Sequence, residues 1–287
     1  MSLVVAAMVI FCSPSASFSP VTDTFNGMPI ERTYTEWREG PYNTGDPATT
    51  VHCQDCHMRQ RPGIPATGST ERPDNPGLSA LGGKERSHVA THYHVGGNAA
   101  VPALFEGGQQ NADMAVERLK NCATIEITVP PFPQVWQTAD LQVKVNNVGA
   151  GHYLPTGLSE VRELWLEILV KDALGRTVFQ SGTVDTQGNL DPQARLFNIK
   201  LADAAGNPTV NVAKADRIMS DSRIPPKGYR LEHYTFLVPL SGLLGYTVEA
   251  RLKYRSAPQS LIDDLLGGES VTLPIIDMAS ASAEVRF

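Results

Sequence analysis

Cys53-Gln54-Asp55-Cys56-His57 is the segment in which residue type and spacing point to chemistry. Two cysteines three apart, followed at once by histidine, form the pattern for covalent attachment of a c-type haem. Both thiols lie on one tight backbone curl and add to the two vinyl groups, and the histidine is held under the ring as an iron ligand. Zinc is the main rival, because Cys53 and Cys56 with His88 and His92 supply the ligand types of a structural site. The stretch from Cys56 to His88 far exceeds the roughly 12–15 residues of a finger, and His57 would have no role. A thioredoxin-type redox pair is disfavoured because no βαβ pattern surrounds it. One haem c, bound by Cys53 and Cys56 with His57 proximal, is therefore expected.

The ligand on the other face of the iron is open at this level. Arg86 to Asn98 presents His88, His92 and His94 before Gly96-Gly97, and His152 sits in the glycine-bracketed loop Gly149 to Gly157. Met58 is too close to His57 to reach over the ring. Met278 and His233 fit packing roles better, and His52 is too near to fold across.

The elements around the motif fall into two stretches. Residues 18–122 are rich in Gly, Pro, Asn and His and have little hydrophobic periodicity. Short helices are expected around Tyr34 and Trp37, and after Asn111 as an N-cap, with Ala112, Ala115, Val116 and Leu119 on one face. So few regular elements build little core, and a large apolar cofactor would supply the missing centre. Residues 123–287 alternate apolar and polar in several runs, including Ala123 to Val129, Leu141 to Asn146, Val248 to Tyr254 and Ser282 to Phe287. Arg162 to Lys171, Arg176 to Gly182 and Tyr229 to Val238 add further strands. About seven half-buried antiparallel strands predict an immunoglobulin-like β-sandwich, so the fold class is mainly β with an irregular, partly helical haem domain. A long connection over 183–226 is expected to interrupt the sheet. A helix is expected near Ser260, with a capping box to Asp263.

Residues 1–17 carry an apolar run, Leu3 to Phe11, followed by small residues, and the first charge is Asp23. The run is too short to span a bilayer but suits a secretory leader, although a positive n-region is missing. Export places the chain in the periplasm or outside the cell, where c-type attachment takes place. It leaves Cys53, Cys56 and Cys122 after loss of Cys12, a poor framework for disulfides. No other segment is long and apolar enough to cross a membrane. The net charge of −6 argues against nucleic acid.

On these residues the chain resembles the periplasmic multihaem c-type cytochromes that end in an immunoglobulin-like domain bearing a G-H-x-x-P-T-G loop. The resemblance rests on Tyr34-Thr35-Glu36-Trp37 before the Cys53 motif, His92-x-x-x-Gly96-Gly97-Asn98, Glu117-Arg118-Leu119, Gly151-His152 to Gly157, Gly188 to Pro192, and Tyr254-Arg255-x-x-Pro258. It implies attachment at Cys53 and Cys56, His57 as proximal ligand and His92 as distal ligand, with His94, His152 and His88 as alternatives. His94 stands where an aromatic is more usual. Relatives carry several haem motifs and this chain has one, so it cannot form an internal electron wire.

The function expected is a one-electron carrier or relay, because an iron with two protein ligands has no open position. His/His ligation places the potential below that of His/Met. One haem needs a redox partner carrying another haem or metal centre, or a larger multisubunit complex, and Arg59 and Arg61 could help to dock it. Two other readings stand beside this one: a haem enzyme or gas sensor with an open distal position, and a structural subunit whose haem is a staple.

Overall fold

The computed structural model describes residues 24–25, 28–29, 31–91, 93–129, 134–241, 245–266 and 271–285. The expected leader, with Cys12, and His92 lie outside the described residues. The chain is mainly β, with several antiparallel sheets. In order it forms β1 (Thr24–Phe25), β2 (Met28–Pro29), α1 (Thr33–Arg38), α2 (Cys53–His57), β3 (Gly77–Leu78), β4 (Glu85–Arg86), α3 (Ala100–Ala103), α4 (Gln109–Lys120) and β5 (Ala123–Thr128). These are followed by β6 (Thr138–Asn147), β7 (Glu163–Asp172), β8 (Thr177–Ser181), β9 (Arg195–Leu196), β10 (Ile199–Asp203), β11 (Pro208–Thr209) and β12 (Ala215–Asp221). The last elements are β13 (Tyr229–Leu237), β14 (Tyr246–Arg255), α5 (Gln259–Leu266) and β15 (Ile276–Val285).

Period-two patterning builds the two principal sheets. On β6 the residues Ala139, Leu141, Val143 and Val145 point inward, and β6 pairs with β13 and β5. On β14, Val248, Ala250 and Leu252 do the same, within the order β15-β14-β7-β8, with β9 also pairing to β7. Both sheets send side chains into one hydrophobic core, which Ala99 and α4 residues Ala115 and Leu119 join. Leu166 sits fully buried on β7, opposite Leu252. Leu166→Ala is expected to cost about 2–5 kcal/mol, seen as a lower urea midpoint at unchanged slope; a loss under ~1 kcal/mol would mean that the site collapses to fill the gap.

Three expectations are corrected. The α4 helix begins at Gln109 after an N-cap at Gly108, not after Asn111, although the apolar face matches. A Cβ at Gly108 would strike the Pro102 carbonyl, so close packing on α3 sets the start. The α5 helix begins at Gln259, which puts Ser260 inside it. Asp263 accepts from the Gln259 side chain at 2.8 Å instead of closing a capping box on Ser260. The 183–226 connection is not bare: β11-β10-β12 form a separate sheet around Leu201 and Ala215, and β9 joins β7. Its strands are short and, on β12, exposed, so their alternation is weak in sequence.

Candidate haem-attachment site

One helical turn presents the Cys53 motif. His52 caps α2 in an extended conformation, and its N–H donates to Asp55 Oδ2 at 2.8 Å. Asp55 is fully buried, and its other oxygen accepts from Arg72 Nη2 at 2.6 Å. Gly68 N–H donates to the Asp55 carbonyl at 2.9 Å, and a Cβ on Gly68 would come within 3.2 Å of Cys56 Sγ. Cys56 is buried, Cys53 is half-buried, and neither they nor Cys122 form a disulfide. Burial pushes the Cys56 thiol up to about 11.

Val95 grips His57 from both directions. Its N–H donates to the His57 carbonyl at 3.0 Å, and its carbonyl lies 2.6 Å from His57 Nδ1. A carbonyl can only accept, so Nδ1 carries the proton and Nε2 keeps its lone pair, the usual arrangement for a metal-binding histidine. Burial, then the neighbouring His152, hold His57 down at about 3, so it is neutral.

The GH-PTG loop follows β6 and faces α2. Fully buried Asn147 shapes it, donating to the His152 carbonyl at 2.9 Å and accepting from Ala150 N–H at 3.0 Å. A Cβ on Gly149 would strike the Asn121 carbonyl, so only glycine lets the loop approach the end of α4 this closely. His152 Nδ1 lies 2.9 Å from the Tyr153 carbonyl, which again leaves Nε2 as the lone pair. Its burial lowers its pKa.

The rings of His57 and His152 lie 6.2 Å apart between centroids, with planes 18° from parallel. Two imidazoles bound through Nε2 to one metal, with metal–nitrogen bonds of about 2.0–2.1 Å, have centroids about 6.3 Å apart. Exposed His94 is 5.2 Å from His57 with planes 7° apart, too close for an ion between them on that measure. His88 bonds the Pro73 carbonyl through Nδ1 at 2.7 Å, and its buried Nε2 has no partner among the described residues. His88 does not line the cavity shared by Cys56, His57 and His152, which measures about 110 Å³. Among the described residues no group of three His, Cys, Asp or Glu side chains gathers as a metal cluster, so Cys53, Cys56 and His88 do not converge as zinc ligands.

Two further residues, Glu36 and Arg118, position the site. Glu36 on α1 accepts from Tyr153 N–H at 3.1 Å and from Thr156 Oγ1 at 3.3 Å, and it pairs with Arg223 at 2.7 Å. Neighbouring Trp37 donates to the Val51 carbonyl at 2.8 Å, just ahead of α2, and packs against Gly151. The α1 helix therefore braces one histidine loop against the other. Arg118 on α4 is the second such residue, bonding the Cys56 carbonyl at 3.4 Å and the Gly149 carbonyl at 3.1 Å. Their sequence signal was membership of two segments that carry the family resemblance, Tyr34 to Trp37 and Glu117 to Leu119. Arg59, by contrast, is occupied by Glu117 at 2.9 Å.

Glu36 and Arg223 are 6% and 7% exposed, so Glu36→Ala strands a buried cation. The expected cost is roughly 3 kcal/mol, at the low end for a broken buried pair because Asp221 still binds Arg223. Urea unfolding measures it, and a loss below ~1 kcal/mol would mean that solvent reaches the pair.

Comparison with solved structures relates this fold to that of a penta-heme cytochrome c552 from Thermochromatium tepidum. The two chains are 22% identical with a TM-score of 0.57, over 90% of this chain and 52% of that one. This chain thus spans about half of that cytochrome's length. A CARDB domain from Pyrococcus furiosus also matches, at 12% identity and a TM-score of 0.27, over 57% of this chain and 85% of that one. No family model matches the chain, and no curated protein does. No helix among the described residues is long and apolar enough to cross a membrane.

Proposed function

We propose that this chain is an exported c-type cytochrome that carries one haem and passes single electrons. Thioether bonds from Cys53 and Cys56 would hold the haem, with His57 and His152 on its two faces. The observation that carries the reading is the 6.2 Å separation of two histidines whose Nδ1 atoms both face carbonyls. Such a pair would hold the iron of a ligand that brings its own nitrogens, as a tetrapyrrole does. When bound, haem supplies a one-electron Fe(III)/Fe(II) couple.

What the protein's residues contribute is orientation. Val95 and Tyr153 fix the two tautomers, and Asp55 holds the turn that carries the cysteines. Glu36 and Trp37 set the spacing of the two loops. If His57 and His152 both hold the iron, they would leave it no place for a substrate, which favours electron transfer over catalysis or gas sensing. The cavity of about 110 Å³ is smaller than the roughly 300–1,000 Å³ of pockets that enclose organic ligands, so the macrocycle's rim would extend beyond it. An accessible rim suits exchange with a partner that carries another haem or metal centre.

In this reading residues 18–122 form the haem domain, and residues 123–287 form an immunoglobulin-like sandwich that serves docking or assembly. Residues 1–17 are a leader that directs the chain to the periplasm. The penta-haem character of the cytochrome c552, which shares this fold, supports the haem reading. The test is an absorption spectrum of protein purified after export, oxidised and reduced, with a pyridine haemochrome assay. One haem per chain with a low-spin reduced spectrum is expected. A high-spin spectrum that shifts with carbon monoxide would replace the carrier by an enzyme or sensor, and absence of haem would overturn the reading.

A further inference from the structure

We infer that Arg118 sets the reduction potential of the proposed centre, raising it through a buried positive charge that no carboxylate among the described residues balances. The inference rests on the haem reading and goes beyond it by naming the charge that tunes the couple.

Three arginines of the described residues are buried. Arg223 pairs with Glu36 and Asp221, and Arg255 pairs with Glu163. Arg118 has no ion pair among the described residues. Its guanidinium donates only to backbone carbonyls of Ala66 at 2.6 Å, Gly149 at 3.1 Å, Cys56 at 3.4 Å and Asn121 at 3.5 Å, with Cys122 Sγ at 3.9 Å. Carbonyl dipoles satisfy its hydrogens but leave the full charge in place. An unpaired buried charge is costly, and a fold with two matched arginines plainly has the means to pair a third.

The place of this charge gives it a use. Arg118 lines the same cavity as Cys56, His57 and His152, and the only other charged residue in that lining is a second arginine, Arg162. Arg162 is half-buried and bonds the Ser256 carbonyl at 2.8 Å. A ferric haem core carries one more positive charge than the ferrous core. An electron delivered by a redox partner or an electrode removes that charge without a proton being taken up. A fixed cation in a low-dielectric site therefore favours the reduced form and raises the potential. This opposes the lowering expected from two histidine ligands.

The experiment is a mediated redox titration of the haem-loaded full chain and its variants, with the spin state recorded alongside. Arg118→Gln keeps hydrogen-bond donors but removes the charge. It is expected to shift the oxidised-to-reduced ratio at a fixed applied potential about tenfold toward ferric, which for one electron is about 59 mV. Arg118→Lys keeps the charge, loses the fork of donors, and is expected to stay near the wild-type potential. A low-spin Arg118→Gln protein with wild-type potential overturns the inference. So does Arg118→Lys falling as far as Arg118→Gln, since packing and not charge would then be responsible. Should Arg118→Gln fail to hold haem, Arg162→Gln decides: a smaller fall supports a cationic cavity wall, and no change overturns it. A wild-type chain without haem overturns the functional reading and this inference together, whereas haem with an unmoved potential overturns only this one.

Discussion

Replacing Cys53 and Cys56 together by serine is expected to leave no haem that survives extraction into acidified acetone. The same variant run on a denaturing gel stained for haem is expected to be blank, where the wild-type chain gives one haem. The reason lies in the site. The cavity does not enclose a macrocycle, so little besides the thioether bonds and the axial ligands would retain it. Cys122→Ser serves as the contrast. This thiol is buried against α4, donating to the Arg118 carbonyl at 3.1 Å, and its loss is expected to leave attachment intact. Covalent haem in the double variant, or its loss in Cys122→Ser, would move the attachment away from the Cys53 motif.

His152→Ala is expected to convert the low-spin centre to a high-spin one that binds carbon monoxide, while keeping the haem attached. Without its imidazole no other histidine among the described residues would stand at that distance from His57. His94→Ala and His88→Ala are expected to leave the low-spin spectrum unchanged. One ring stacks too close to His57, and the other is held on the Pro73 carbonyl away from the cavity lining. His92→Ala completes the set, because His92 lies outside the described residues. A low-spin spectrum that persists in His152→Ala and vanishes in His92→Ala would give the distal role to His92, the residue implied by family resemblance.

Much of the local structure was legible in the chain. Alternation marked β5, β6, β7, β13, β14 and β15, since a strand with one buried face shows period two whatever it packs against. The face of α4 was readable from Ala112, Ala115 and Leu119 for the same kind of reason. Helix starts were less legible. Asn111 and Ser260 have capping side chains, but the approach of Gly108 to Pro102 and the bonding of Gln259 moved the boundaries. The β10–β12 sheet escaped notice because it buries little more than Leu201 and Ala215.

The sequence by itself determined which groups stand together: two thiols and an imidazole within five consecutive residues fall on one turn in almost any fold. It also determined that four histidines, His88, His92, His94 and His152, were available for the other face. Only the tertiary structure separated three of them, because the distance from His57 to His152 is set by α1, by Asn147 and by the glycine approach of the 149–157 loop to α4. The α1 contacts join residues more than a hundred positions apart, as Glu36 and Tyr153 are. The unpaired charge of Arg118 belongs to the same class. Nothing in Glu117-Arg118-Leu119 distinguishes a solvated arginine from one enclosed by carbonyls, because the enclosing groups come from four other parts of the backbone.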